Sequence, residues 1–331
     1  MVKIGLVGCG KIAQKHMEAY KRLEMAEVIV TDTDRGRALR FGEQHGVPVV
    51  GSYAELLSTP EIEVIDVCVP TSSHREVVLS AFEHKKHVFS EKPLCETHQE
   101  AFEIYGAAER NKRLIWVGFP FRFYPAMRFV KELLDQNVIG KPHMAQLRIG
   151  GRGSAAVWKH KMESGGGSIS EMMVHLIDLG VWLFGTMDGG ELIWSDTLLK
   201  QRLIAGEVVD ADAEDVAIAR LFRKDDLTVL CQSDLCTPSY MQSIEVQGEN
   251  GSIYSSLLDY LPTVVFCRQP AGPYPAGYSQ FNFPVTNIFV EELRYFLERV
   301  RRPDGWNDII NSLNVVRLYE EIHEAARGSR R

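Results

Sequence analysis

At 331 residues the chain is long enough for two domains. Its 45% hydrophobic and 24% charged residues exclude the disordered and fibrous classes, and a net charge of −7 excludes a global attraction to nucleic acid or anionic membrane. With no charged leader, no apolar run of the roughly 20 residues that span a bilayer, and six scattered cysteines without CxxC pairs, the expectation is a reduced, cytoplasmic protein with no metal site.

The chain opens on a strand over 3–7, turns through Gly8, Gly10 and Ala13 into a helix, and returns in an apolar run that ends at Asp32. Each part suits a dinucleotide. Gly8 permits the tight turn, and Gly10 lacks the Cβ that would block a pyrophosphate. Ala13 lets the helix pack close to the strand, while the helix N-terminus offers unpaired N–H groups to phosphates. Lys11 and Ile12 lie in the same turn and are assigned to the cofactor with it. Asp32, 19 residues past Ala13, stands where a carboxylate grips the adenosine ribose hydroxyls. It repels a 2′-phosphate and so favours NAD; Arg35 and Arg37 follow it and suit that phosphate, which keeps NADP open.

Strands over 64–69, 87–90 and 114–117 then alternate with helices over 73–83 and 96–111. This βαβ rhythm makes a parallel sheet covered on both faces, with ligands at the carboxyl ends of its strands. Glu91, Lys92 and Pro93 follow the 87–90 strand and therefore sit at such an end. A lysine beside a nicotinamide can donate to a substrate oxygen, its pKa lowered from about 10.4 by burial and ring charge. Pro93 restricts its backbone.

After about residue 120 the texture changes. Strands over 143–148, 215–222, 227–233, 242–247 and 263–268 surround one helix over 168–184, which implies an α+β domain with a largely antiparallel sheet. On that helix Glu171, His175 and Asp178 stand at i, i+4 and i+7, on one face of an otherwise apolar stretch. Burying three ionisable groups is costly unless they are paired or functional. His175 is the natural proton carrier for an alcohol–ketone reaction, and its carboxylate neighbours can orient it. Ser168 and Glu171 also fit a capping box, which would make Glu171 a helix cap only.

Between 148 and 161 the chain carries Arg148, Arg152, Lys159, His160 and Lys161 with no acid among them. Facing a cleft they would suit a phosphate, a nucleotide diphosphate or a carboxylate; a solvated basic loop is the other reading. Arg152, Trp158 and Lys159 are taken as substrate contacts. Residues 269–287, rich in Pro, Gly and aromatics, are expected to form a long loop whose Tyr274, Tyr278 and Phe281 stack on a ligand or a second subunit. Helices over 288–301 and 309–327 close the chain.

Together these residues resemble the glucose–fructose oxidoreductase, inositol dehydrogenase and rhizopine-catabolism (Gfo/Idh/MocA) family over nearly the whole chain. The likeness runs through the glycine turn, Pro70 and Thr71 with His74, Glu91-Lys92-Pro93, Gly118 with Arg122, and Ile139-Gly140. It continues in the triplet Gly165, Gly166 and Gly167, in His175 and Asp178, and in residues 247–251. The resemblance implies an α/β Rossmann domain over 1–120, then an α+β domain over 121–305 with a large open-faced, mostly antiparallel sheet that often forms the oligomer interface. The last helix, about 309–327, is expected to return to the first domain. Lys92 and His175 take the family's catalytic positions, and a cis Lys92–Pro93 bond is expected. Pro70, Thr71, His74, Glu91, Lys92 and Arg122 fall at the cofactor, and Lys92, Arg122, Tyr124, Glu171 and His175 at the substrate. Family members often carry Asp where this chain has Glu171, so its role stays open.

The activity implied is NAD(P)-dependent hydride transfer at a secondary alcohol or ketone of a sugar or cyclic polyol, in a homodimer or homotetramer. The basic stretch points to a nucleotide sugar or sugar phosphate. Three alternatives share the resemblance: an NAD-dependent glycoside hydrolase working by transient oxidation, a non-catalytic NAD-sensing regulator, and an oxidoreductase that retains its cofactor.

Overall fold

The structure, a computed structural model, describes residues 1–153, 156–204, 206–302 and 309–328. The chain divides into two compact units, Met1–Phe123 with Asn287–Ile309, and Tyr124–Thr286 with Ile310–Arg331. The expected boundary at 305 lies outside the described residues.

In the first unit, β1 (Val2–Val7), β2 (Ala26–Thr31), β3 (Val64–Val67), β4 (His87–Ser90) and β5 (Ile115–Val117) form a parallel sheet in the order β2-β1-β3-β4-β5. Buried on both faces, its strands are almost unbroken apolar runs, with Ile4, Leu6, Val64, Ile65 and Val88 inaccessible to solvent. The crossovers carry α1 (Lys11–Leu23), α2 (Arg35–His45), α3 (Tyr53–Ser58), α4 (His74–Glu83) and α5 (His98–Asn111). α5 begins at a capping box of Thr97 and Glu100. Strand order changes direction between β1 and β3, which opens a ligand crevice at their carboxyl ends.

The second unit starts with α6 (Pro125–Asp135), whose Pro125 occupies the first helical position, where no backbone N–H is needed. Its strands are β6 (Pro142–Gly150), β7 (Gly189–Asp196), β8 (Gln201–Ile204), β9 (Glu207–Asp210), β10 (Val216–Phe222), β11 (Thr228–Asp234), β12 (Met241–Gly248), β13 (Gly251–Ser255), β14 (Thr263–Cys267) and β15 (Gly277–Phe281). Eight make one sheet, β15-β14-β13-β12-β6-β11-β10-β7, antiparallel at every pairing except β6 with β11; β8 and β9 pair separately. The stretch expected as a loop over 269–287 thus contains an edge strand, β15, in register with β14 through Phe266 opposite Tyr278.

The apolar helix of this unit is a π-helical turn, Ile169–Met173, running into α7 (Val174–Phe184). It lies on β6, β10 and β11, and Gly180 packs tightly against β10: a Cβ would stand 3.1 Å from Leu221. The stretch Met162–Phe184 is in fact long and apolar enough to cross a bilayer, against the reading from sequence. It is 83% buried, as the core helix of this unit.

The two closing helices divide between the units. α8 (Ile288–Val300) inserts Val290, Leu293, Phe296 and Leu297 into the first unit's core beside Ala13, Met17 and Tyr20 of α1. α9 (Ile309–Gly328) belongs to the second unit from Ile310 onward. Asn314 brackets the backbone of Met187 with two 2.9 Å hydrogen bonds, Tyr319 meets Ser170 at 2.9 Å, and Glu321 accepts from Gly190 N–H at 2.9 Å. The penultimate helix, α8, thus packs in the core of the first unit, while the hydrogen bonds above tie α9 to Ser170, Met187 and Gly190 within the second.

Candidate active site

Gly8 has φ +93°, a backbone that L side chains avoid, and a Cβ there would stand 2.6 Å from the carbonyl oxygen of Cys68. Gly10 differs. A Cβ built on it meets nothing within 4 Å among the described residues, which leaves open space at the start of α1. No side chain caps that helix, whose first N–H groups remain for an anion. Ala13 is fully buried beneath it, while Lys11 is exposed and Ile12 half-buried at the turn. These residues fit a dinucleotide pyrophosphate.

Asp32, just past β2, holds its carboxylate by accepting from Cys9 N–H at 2.8 Å and from Asp34 N–H at 2.8 Å, which leaves the side chain 5% exposed. Burial and this carboxylate push the Cys9 thiol up to about 12. Arg37 reaches Asp32 at 3.5 Å, so its guanidinium is engaged with the acid.

Beyond β3, Pro70 leads a 3-10 turn, Thr71–Ser73, into α4. His74, expected at the cofactor, is 1% exposed and aims both ring nitrogens at backbone carbonyls, Nδ1 at Pro93 (2.9 Å) and Leu94 (3.2 Å) and Nε2 at Val69 (2.9 Å). It staples the end of β3 to the turn after β4. That turn carries Glu91, Lys92 and Pro93, with the Lys92–Pro93 bond cis. Glu91 accepts from Lys92 N–H at 3.2 Å and pairs with His16 Nε2 at 3.1 Å. Arg122 stands over the Phe119 ring, 5.8 Å from its centroid.

The second unit positions its own set. Gly166 N–H donates to Lys161 O and Gly167 N–H to Lys159 O, both at 3.0 Å, seating the turn Val157–His160 against the helix start. A Cβ on Gly166 would lie 2.5 Å from the Lys159 carbonyl, and one on Gly167 (φ +121°) 2.2 Å from Glu214, so only glycine fits at either place. Lys159, which also stands 5.2 Å from the Trp158 ring centroid, forms an ion pair with Glu171. The capping box is absent. Ser168 is helical with its hydroxyl on Ser233 at 2.6 Å, and the N–H of Ile169 is taken by Glu214 at 3.0 Å. His175 and Asp178 follow on α7, 9% and 1% exposed.

Acids missing from the basic stretch arrive from elsewhere. Asp234 stands 3.7 Å from Arg148, Glu171 holds Lys159, and Arg152 donates to the carbonyl of Pro238 at 2.7 Å, while His160 is buried. Tyr124 caps the start of α6 with its backbone, and burial together with Asp259 pushes its hydroxyl up to about 12.

Four contributors escaped the sequence reading. They are Glu214, His16, Asp66, and Glu292 of α8, which accepts from Trp116 Nε1 at 3.0 Å and Phe119 N–H at 2.8 Å. Polar residues on buried phases were the available signal: His16 shares a helix face with Ala13, Met17 and Tyr20, and Asp66 interrupts an otherwise apolar strand.

Residues 2–119 match the oxidoreductase family with an NAD-binding Rossmann fold, and residues 127–254 match the GFO/IDH/MocA C-terminal domain. The chain is 28% identical to the myo-inositol 2-dehydrogenase of Thermotoga maritima, over 91% of this chain and 88% of that one. It is 25% identical to a dTDP-3,4-didehydro-2,6-dideoxy-alpha-D-glucose 3-reductase of Actinomadura kijaniata, over 98% and 96% of the two chains. An NAD-binding oxidoreductase from Klebsiella pneumoniae shares its fold with a TM-score of 0.87 at 20% identity, covering 100% and 98% of the chains. Levoglucosan dehydrogenase, solved with NADH and levoglucosan, does so with a TM-score of 0.85 at 18% identity, covering 99% and 97%.

Proposed function

Because the chain belongs to the GFO/IDH/MocA oxidoreductases, we propose that it moves a hydride between NAD and a secondary carbinol carbon of a cyclic polyol or sugar. The observation that carries the reading is the open cradle at Gly10, with Asp32 closing one end of β2 and Lys92 placed after β4. Bound NAD supplies the hydride acceptor. The alcohol loses its C–H as hydride and its O–H as a proton, leaving a ketone. His175 takes that proton, and the Lys92 ammonium hydrogen-bonds the same oxygen, stabilising the alkoxide character that develops there. Asp178, nearly inaccessible one turn after His175, offsets the charge the imidazole acquires. Glu171, held by Lys159, gives the second unit a paired polar edge for substrate hydroxyls.

With Arg148 and Lys159 already facing acids, nothing requires an anionic substrate, and a neutral ring polyol is favoured over a nucleotide sugar or sugar phosphate. Similarity to a myo-inositol 2-dehydrogenase supports the same choice. The test is NADH appearance across inositols, neutral aldoses, sugar phosphates and nucleotide sugars. Turnover of neutral polyols, abolished in Lys92→Met, is expected. Activity confined to anionic substrates would overturn the neutral reading, and glycoside cleavage without net NADH would replace the reaction.

The eight-stranded sheet keeps one face away from α6 and α7, and Trp194, Tyr254 and Tyr278 are exposed on its strands, with Phe266 beside Tyr278. We read this face as a homo-oligomer contact, to be checked by sedimentation of the wild type against Tyr278→Glu. The six cysteines are free, five of them buried, which supports a reducing, cytoplasmic setting.

A further inference from the structure

The first unit buries a chain of ionisable groups for which the proposed reaction has no use. His16 is 1% exposed, with Nδ1 3.1 and 3.0 Å from the two oxygens of Asp66 and Nε2 3.1 Å from Glu91 Oε1. Asp66 also accepts from the Tyr20 hydroxyl at 2.8 Å. Carboxylates at both ring nitrogens call for an N–H on each, which is the imidazolium. Burial alone would lower the pKa of His16, but Asp66 and Cys68 hold it well above the ordinary value. Cys68 Sγ lies 3.4 Å from Nδ1, and these three residues bring ligand-type atoms within 4.8 Å of one another. Those are hydrogen-bond separations, and a nitrogen that donates to Asp66 has no lone pair for a metal.

The chain of contacts ends at the lysine turn. Glu91, held by His16 through one oxygen, accepts from Lys92 N–H through the other at 3.2 Å. Room for it comes from Gly118, where a Cβ would stand 3.1 Å from Glu91 Oε1. His74 grips the far side of the same turn at Pro93 and Leu94. The backbone on both sides of the Lys92 side chain is thus tied to the interior of the sheet.

We infer that His16 is a positioning residue: clamped by Asp66, its imidazolium holds the Glu91 carboxylate that fixes the backbone of Lys92 and so aims the lysine. This rests on Lys92 acting in catalysis. The two ring positions can be separated by substitution. His16→Asn puts an amide near the Nδ1 position, keeping a donor for Asp66 and none for Glu91; His16→Gln reaches the Nε2 position and keeps Glu91.

The experiment measures kcat, KM for the polyol, NADH affinity by fluorescence and thermal midpoint for both variants, for Glu91→Ala and for Lys92→Met. His16→Asn and Glu91→Ala are expected to lower kcat by about 10- to 100-fold, since small misplacement of a reacting group costs that much. NADH affinity of the His16 variants should stay within about twofold, because the contacts expected to the phosphates and ribose remain. His16→Gln should recover most of kcat, and the double variant His16→Asn with Glu91→Ala should be no slower than either single one. Equal loss in the Asn and Gln variants in step with their thermal midpoints would reduce His16 to core packing and overturn the inference. So would full kcat in His16→Asn while Lys92→Met is inactive. Full activity in Lys92→Met would instead defeat the reading of the lysine itself. Should His16→Asn fail to fold, Glu91→Ala decides: an undiminished kcat there also overturns the inference.

Discussion

Gly8 and Gly10 stand two residues apart in one turn and lack side chains for different reasons. Gly8 answers to the protein: its φ of +93° and the carbonyl of Cys68 leave no place for a Cβ. Gly10 answers to the ligand, since nothing among the described residues lies within 4 Å of its missing Cβ. Gly8→Ala is therefore expected to cost about 1–3 kcal/mol of stability, the range for a residue forced into a sparsely populated backbone region. Gly10→Ala should leave the thermal midpoint where it is and weaken NADH binding by about tenfold or more, by keeping the pyrophosphate from the helix. Thermal unfolding and NADH fluorescence titration of the two variants check both halves. At Asp32 the question is cofactor choice. Asp32→Ser removes the carboxylate and frees Arg37, now 3.5 Å from it, for a 2′-phosphate. The ratio of kcat/KM for NAD over NADP should fall by at least about tenfold, since the acid supports the ribose hydroxyls and repels the phosphate. An unchanged ratio would move the discrimination elsewhere.

At the scale of elements, the start of the apolar helix shows what local pattern can and cannot reveal. Ser168 and Glu171 have the spacing of a capping box, yet Ser168 spends its hydroxyl on Ser233 and Glu171 turns to Lys159. The acid that serves the helix N-terminus is Glu214, 45 residues from Ile169 in sequence. Glu214→Ala is expected to cost about 0.5–2 kcal/mol, the range for a lost helix cap. Glu171→Gln should spare stability and raise KM for the polyol. Denaturant midpoints and KM values for the pair separate these roles. Short-range structure was legible because it is written in adjacent residues: the β1 turn, the strands ending at Pro70 and Glu91, the amphipathic closing helices. Long-range partners were not. Asp234 opposite Arg148, and Asn314 at Met187, join residues tens to more than a hundred positions apart, and no periodicity records them. Strand β15 was missed because an edge strand needs one partner only and its half-exposed GYSQF reads as loop.

Across the whole molecule, stability should respond to pH differently in the two units, because their buried titrating groups differ. His87 in the first unit is lowered to about 4 by burial and Arg113, and His323 in the second is lowered to about 4 by burial and Arg327. His87 Nδ1 accepts from Leu114 N–H at 3.0 Å, a bond that protonation removes. As pH falls from 6.5 toward 4, the unfolded chain takes up protons that both folded units refuse, and each unit loses stability, by at most about 1.4 kcal/mol per pH unit for each histidine. On the alkaline side the first unit stands apart. Burial pushes Glu292 up to about 8 from an ordinary 4.5, so between those values the folded unit keeps a proton that the unfolded chain has released. Its stability then falls as pH rises, until the carboxyl ionises in place above about 8. His16, raised well above its ordinary 6.5, adds to the same decline from about pH 6.5 upward, until pH passes its own folded value. Glu292→Gln keeps an acceptor for Trp116 and Phe119 and cannot ionise. Hydrogen exchange followed peptide by peptide from pH 5 to 9, corrected for the intrinsic rate, gives the opening free energy of each unit separately. In the wild type the first unit should loosen as pH rises from about 6.5 to 8, while the second holds. In Glu292→Gln the first unit should flatten toward the second and exceed the wild type at pH 8. Parallel curves in the two proteins would mean that the buried carboxyl does not carry the alkaline limb, and His16 would be the group left to test.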